Sequence, residues 1–155
     1  MSELFTHETI DIAAPPSVVW AILTDPKLTR QYMFGCEAIS DWKVGSPLIW
    51  RGELEGKPMV FVTGWVVTWE PHSVLAYTTF DPHGGLPDVP SNHVTMTCRL
   101  SVISPTLTRL DLSQGDFSQV QNGAARYADA MKGGDGLLLK MKALAESLPA
   151  HRVDQ

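Results

Sequence analysis

The residues best suited to take part in chemistry lie on one predicted strand near residue 115. Leu110 and Leu112 occupy alternate positions there, which marks the face that packs inward. Gln114 and Asp116 continue the alternation, so both polar side chains are predicted to point into an apolar interior. A carboxylate without a partner there is costly and shifts its pKa. Asp116 is therefore the best candidate for ligand orientation or acid–base chemistry, and the alternative is a solvated carboxylate at a strand end or helix cap.

Aromatic side chains are spread over the predicted strands and form the second group with a chemical use. Flat apolar rings that line a cavity suit a hydrophobic or aromatic ligand held by few polar groups. The alternative is that these large rings fill the core. Strand alternation places Trp50 and Met96 on inward faces. The candidate ligand-binding residues are Tyr32, Phe34, Trp50, Tyr77, Phe80, Met96, Gln114, Asp116, Met131 and Leu138.

Motifs for other chemistries are missing from the sequence. The five histidines are scattered without ligand spacing, so we expect no metal site. Cys36 and Cys98 are far apart and form no redox or metal motif. No serine lies in a G-x-S-x-G turn, and the glycine-rich residues 133–136 lack the features of a phosphate loop. We expect no cofactor, and the sequence leaves open whether the protein is an enzyme.

Composition restricts the class of partner. The 155 residues are 44% hydrophobic and 19% charged, which is typical of a globular protein, and we expect one domain over residues 1–155. A formal net charge of -5 disfavours nucleic acid and anionic membranes as partners. No apolar run approaches the roughly 20 residues of a membrane span, and the first residues lack a secretory signal. We therefore expect a cytoplasmic protein.

These candidate residues must be positioned by a strand, two short helices and a set of further strands. Residues 9–12 alternate between polar and apolar, as in a half-buried strand. Pro15 and Pro16 end that strand and suit the first turn of a helix. Apolar residues at helical spacing then predict a short helix that ends at Asp25, and a second short helix is predicted over residues 27–34.

From residue 36 to residue 117 the chain has the pattern of strands separated by turns. Sequential strands joined by tight turns form an antiparallel meander. One of these strands is apolar on both faces, and an outward-facing Trp65 would provide a surface for a homodimer. The predicted strands are residues 36–42, 48–54, 59–69, 74–80, 92–102 and 107–117.

The last part of the chain is rich in alanine, methionine, leucine and lysine. Apolar residues from Leu137 to Leu148 recur at helical spacing and predict a long terminal helix, preceded by a break or kink at residues 133–136. This helix can cover the apolar face of the sheet. The predicted fold class is α+β: a curved antiparallel sheet of about seven strands wrapped on a long C-terminal helix, with two short helices between the first two strands.

An ordered series of segments over most of the chain resembles the START-like superfamily (SRPBCC), which has the birch-pollen-allergen or helix-grip fold. The most similar branch resembles the C-terminal domain of heat-shock-protein-90 ATPase activators. The matching segments include IDIAAPPSVVWAILTDP at residues 10–26, DWKVG at 41–45, GWVVTWEP at 64–71, HVTM at 93–96 and GDF at 115–117.

The resemblance implies a cavity between the C-terminal helix and the sheet that binds a small hydrophobic or aromatic ligand. It leaves two alternatives open: a cyclase-like or hydrolase-like enzyme on the same scaffold, and a protein-interaction module similar to the chaperone-activating domain. The chain departs from the family at Gly134 and Asp135, where relatives have a Gly-Trp pair. An acidic residue in place of that aromatic would leave the start of the terminal helix roomier or more polar.

Overall fold

The computed structural model describes residues 3–132 and 136–148, and it has an α+β fold built on a seven-stranded antiparallel sheet. The second to seventh strands lie side by side in chain order, and the first strand pairs with the seventh. This is the predicted antiparallel meander, with the first and second strands at the two opposite edges of the sheet. The strands are β1 (Thr6–Ile12), β2 (Glu37–Ser40), β3 (Pro47–Leu54), β4 (Lys57–Glu70), β5 (Val74–Thr79), β6 (Val94–Ser104) and β7 (Leu107–Gly115).

Helices lie between β1 and β2 and after β7, which agrees with the predicted helix-grip arrangement. Prolines lie in the first turn of the two helices between β1 and β2, which begin at Pro16 and Pro26. Two short 3-10 turns, at Pro90–Asn92 and Phe117–Gln119, complete the described secondary structure. The helices are α1 (Pro16–Thr24), α2 (Pro26–Thr29), α3 (Gly123–Lys132) and α4 (Gly136–Ser147).

The second short helix is shorter than the predicted segment 27–34. It ends at Thr29 and is followed by turns up to Gly35. Phe34 and Gly35 have φ angles of 54° and 81°, in the left-handed region that an α-helix excludes. The consequence is a sharp change of chain direction just before β2.

The alternation predicted for β6 holds over most of the strand. Val94, Cys98 and Leu100 are buried, as expected for one inward face. Val102 is 61% exposed, because the end of β6 runs past the core into a turn with β7. Burial therefore follows the two-residue period only where another layer covers the strand.

Trp65 does not project freely from the sheet. Its ring centroid lies 4.6 Å from that of His93, and the His93 ring stacks on Phe80 at 5.0 Å. Trp65 is consequently half-buried within its own chain. A homodimer built on this face stays a prediction.

The terminal helix α4 has 12 residues and buries Leu138, Met141 and Ala145. It contacts β1 and α1, and therefore covers one end of the sheet. The predicted break before it agrees with the separate helices α3 and α4, while the substitution at Asp135 lies outside the described residues. None of the described helices is both long and apolar enough to cross a bilayer.

Candidate functional site

A cavity of about 370 Å³ lies between the sheet and helix α3. Strands β3 to β7 each contribute at least one side chain to its wall, and α3 contributes three. The C-terminal helix α4 provides none of the lining residues within the described part of the chain, so the helical wall predicted for the terminal helix is formed by α3 instead. The apolar part of the wall includes several of the candidate ligand-binding residues predicted from the sequence. It also includes Met33, Val62, Val94 and Phe117.

Five of the ten candidate residues line this cavity. Two of them, Trp50 and Tyr77, are 5% and 9% exposed, and their ring centroids are 6.1 Å apart. The structure thus brings together side chains from four strands that are distant in sequence. Their use in ligand binding stays a prediction. The five are Trp50, Tyr77, Phe80, Met96 and Gln114.

Tyr32 and Leu138 are core residues outside the cavity lining. Tyr32 is 4% exposed, and its hydroxyl donates a hydrogen bond to the carbonyl of Ile22. Leu138 is 2% exposed and belongs to the apolar core under α4. The sequence pattern marks both as buried, but burial alone does not distinguish core packing from a cavity wall.

Phe34 and Met131 face away from the cavity. Phe34 is 86% exposed, because its left-handed backbone conformation turns the ring outward beside Lys140, whose Nζ lies 5.2 Å from the ring centroid. Met131 is 52% exposed on α3. Each residue of a helix turns by about 100°, so Met131 points elsewhere than its neighbour Ala130, which lines the cavity.

Asp116 does not point into the apolar interior, so its predicted orientation is wrong. Strand β7 ends at Gly115, and the alternation that predicted an inward carboxylate ends with it. Asp116 caps the following 3-10 turn, where its Oδ1 accepts hydrogen bonds from the backbone N–H of Ser118 at 2.8 Å and of Leu4 at 2.9 Å. These donors lower the pKa of the Asp116 carboxyl from its usual value. Its position agrees with the alternative prediction of a carboxylate at a strand end or helix cap.

Gln114 does point inward, as the strand pattern predicts. Its Nε2 donates to Thr79 Oγ1 at 3.1 Å, and the Thr79 hydroxyl donates to the carbonyl of Val94 at 2.8 Å. Thr79 and Val94 also line the cavity. This chain of hydrogen bonds links β7, β5 and β6 at the cavity wall and holds the amide in place.

Three charged residues occupy the α3 side of the cavity. Asp81 follows β5, while Arg126 and Asp129 come from α3. The Asp81 carboxylate accepts the backbone N–H of His83, and Asp129 forms an ion pair with Lys132 at 3.6 Å. Partial burial lowers the pKa of Arg126, and the negative charge of Asp81 opposes that shift. This part of the site is therefore charged, whereas the strand side is neutral and mainly apolar.

The lining residues of α3 were not among the candidates predicted from the sequence. Arg126, Asp129 and Ala130 are spaced by three and four residues, so they share one face of a helix. This spacing is visible in the sequence and indicates that the three residues lie together. However, the segment mixes alanines with charged residues, and nothing in it indicates which face meets the sheet.

The described residues contain no group of three or more His, Cys, Asp or Glu side chains arranged to bind a metal ion.

Residues 13–146 match the family model for Activator of Hsp90 ATPase homolog 1-like protein. The chain belongs to this family. The START-like resemblance and the relation to Hsp90 ATPase activators are thereby confirmed. A comparison with curated proteins found no match to this chain.

Solved structures with the same fold extend over nearly the whole chain. A protein from Cytophaga hutchinsonii is 29% identical, with a TM-score of 0.73, and the alignment covers 94% of this chain and 97% of that one. A protein from Mesorhizobium loti is 21% identical over 93% and 99% of the two chains, with a TM-score of 0.67. An HSP90 activator from Plasmodium falciparum is 14% identical over 91% and 95%, with a TM-score of 0.66. The last two likenesses show the fold alone.

Proposed function

We propose that this protein binds a small hydrophobic or aromatic molecule in the cavity between the sheet and α3. The observation that carries the proposal is a cavity of about 370 Å³ lined mainly by aromatic and aliphatic side chains. Small-molecule sites span roughly 300–1,000 Å³ and combine apolar walls with a few polar groups. Burial of an apolar ligand is favourable by about 25 cal/mol per Å² of apolar surface. Membership of a START-like family supports the same function.

The polarity of the wall orients the proposed ligand. Trp50, Tyr77 and Met96 present apolar surface on the strand side, whereas Arg126 and Asp81 lie on the other side. An apolar body stacked on the strand side leaves the charged groups in contact with water. The two carboxylates of the site have structural partners in the turn after β5 and on α3. We therefore favour binding over acid–base catalysis.

A binding experiment with a cavity-filling variant tests this function. The probe is N-phenylnaphthylamine, an uncharged dye whose fluorescence rises in apolar surroundings. Ala130→Trp places an indole at a lining position of α3, and we expect it to weaken dye binding by about tenfold or more, a loss of about 1.4 kcal/mol. Ala128→Trp is the matched control, because Ala128 is exposed on the same helix and outside the lining.

The outcomes separate the proposed function from its alternatives. Equal dye binding by both variants and the unsubstituted protein would place the dye outside the cavity and overturn the proposal. Native mass spectrometry of the purified protein provides a second measurement, since a co-purified small molecule lost in Ala130→Trp supports it. If the cavity binds no ligand and the protein raises the ATPase rate of an Hsp90, the role in the family description replaces ligand binding.

A further inference from the structure

Trp50 and Tyr77 bring two polar hydrogens to the cavity wall. Both side chains are more than nine-tenths buried, at 5% and 9% exposed, and both line the cavity. They belong to β3 and β5, which flank β4 in the sheet. With ring centroids 6.1 Å apart, the indole and the phenol form one continuous part of the wall.

Neither donor is hydrogen-bonded to another group among residues 3–132 and 136–148, and neither polar atom is fully enclosed, so both face space that a water molecule can enter. Tyr32 provides the contrast, because its buried hydroxyl donates to the carbonyl of Ile22. A ligand that fills the cavity removes such a donor from water, and a donor that is then left without an acceptor costs free energy. Two such donors side by side at a cavity therefore favour a ligand that brings its own acceptor.

The other neutral polar groups of the wall behave differently. The Gln114 amide N–H donates to Thr79 Oγ1, and the Thr79 hydroxyl donates to the carbonyl of Val94. These hydrogens have acceptors within the protein. Among the described residues, Gln114 and Thr79 each donate a hydrogen bond within the protein, whereas Trp50 and Tyr77 donate none.

Both groups act as donors over the whole neutral pH range. An indole N–H donates and has no lone pair to accept with. Burial raises the pKa of Tyr77 well above its usual value, and the neighbouring Cys98 and Tyr32 add to the shift. The phenol therefore keeps its proton, and a ligand group placed between the two rings must supply lone pairs.

We propose that the ligand is an aromatic or similarly flat apolar molecule with a carbonyl oxygen, which accepts hydrogen bonds from Trp50 Nε1–H and Tyr77 O–H. A carbonyl oxygen has two lone pairs and can accept both. This inference rests on the proposed function, because it names the class of ligand for the same cavity. A hydrocarbon of equal shape leaves both donors unpaired, and sites built to hydrogen-bond a ligand discriminate against such analogues.

A pair of probes with equal shape tests the inference on the unsubstituted protein. Methyl naphthyl ketone and the isopropenylnaphthalene with the same ring position differ only by an oxygen in place of a methylene group. Affinities are measured by displacement of N-phenylnaphthylamine and by calorimetry. We expect the ketone to bind at least about threefold more tightly than the alkene, although water solvates the ketone better.

Two conservative variants assign this preference to the donors. Tyr77→Phe and Trp50→Phe each remove one donor, and each should reduce the ketone preference while the affinity for the alkene changes less. Tyr127→Phe is the matched control, because Tyr127 lies on α3 against Phe117 and outside the cavity lining. It should leave the preference unchanged.

The failures of the two proposals are distinguishable. Equal affinities for ketone and alkene in the unsubstituted protein would overturn this inference and leave the proposed function intact. A ketone preference that persists undiminished in both Tyr77→Phe and Trp50→Phe would overturn the assignment of the donors. If neither probe binds and the dye does not bind either, the proposed function and this inference fail together.

Discussion

Asp116 joins the start of the chain to the turn that follows β7. Its Oδ1 accepts hydrogen bonds from the N–H of Leu4 and from the N–H and hydroxyl of Ser118. All three donors favour the ionised carboxylate, and they lower its pKa. A lowered pKa in the folded state stabilises the protein above the usual pKa of an aspartate, and this stabilisation is lost as the pH falls through the folded-state value.

Substitution of Asp116 by asparagine tests this structural role. We expect Asp116→Asn to lower the free energy of unfolding at neutral pH and to make stability less dependent on pH below about pH 4. Urea unfolding at neutral and acidic pH measures both effects. Asp41→Asn is the control, since Asp41 is exposed. Because Asp116 lies outside the cavity lining, dye binding should be unchanged, and a large loss of binding in a stable variant would restore its predicted role at the ligand.

Gly64 allows β4 to approach β5 closely. A Cβ at this position would lie 1.9 Å from the carbonyl oxygen of Thr78, which is far inside van der Waals contact. We expect Gly64→Ala to lower the free energy of unfolding by about 2 kcal/mol or more, because the backbone of the sheet must shift. Gly84→Ala is the matched control, since its nearest new contact is an ordinary 3.4 Å. Equal midpoints in thermal unfolding would contradict this account.

At the scale of elements, the side chains of Lys142 and Glu146 on α4 form hydrogen bonds with the backbone at the end of β1. Lys142 Nζ donates to the carbonyl of Asp11 at 2.7 Å and to Glu146 Oε2 at 2.6 Å. The same Glu146 oxygen accepts the backbone N–H of Ala13 at 2.8 Å. Lys142 and this N–H lower the pKa of Glu146. The helix is thus held to the sheet by polar contacts at its edge as well as by its buried face.

Two variants of Glu146 separate its charge from its hydrogen bond. Glu146→Ala should lower the free energy of unfolding by about 1 kcal/mol, because the N–H of Ala13 loses its acceptor. Glu146→Gln keeps an acceptor and should cost less. Chemical unfolding at low and high salt provides the measurement, and an equal loss in both variants at low salt would mean that the charge alone is responsible.

The whole molecule contains buried acidic groups that should limit its stability at alkaline pH. Burial raises the pKa of the Cys98 thiol to about 12 and raises the pKa values of Tyr32 and Tyr77. Groups with raised pKa values stabilise the fold below their unfolded-state values, and this stabilisation is lost as the pH rises toward the folded-state values. The free energy of unfolding should therefore fall from about pH 9 upward.

A cysteine variant identifies the contribution of the thiol to this decline. In Cys98→Ala we expect the alkaline decline to be shallower, because one of the buried acidic groups is gone. Urea unfolding at a series of pH values measures the slope. Val66→Ala is the control, since it shortens a buried β-strand side chain without removing a titratable group. Identical slopes in the two variants would contradict the role of Cys98.

Much of the architecture could be predicted from local patterns. The double proline at residues 15 and 16 marks the start of the first short helix, which ends before Asp25, and strand alternation correctly places Trp50, Val94 and Gln114 inward. These predictions succeed because proline geometry and the two-residue period act over a few residues. The predictions fail where an element ends, at Phe34 and Asp116. Beyond the end of a strand or helix, the side-chain direction no longer follows the period: β7 ends at Gly115 and α2 at Thr29.

The sequence by itself determined the α+β class, the order of the elements and the apolar character of the inward faces, since these follow from local periodicity and turn chemistry. Only the tertiary structure decided which inward residues surround a cavity and which fill the core. Trp50 and Tyr77 line the cavity, whereas Tyr32 and Leu138 do not, although all four are buried. The difference depends on how α3 and the strands are spaced in three dimensions, and that spacing results from packing between segments distant in sequence.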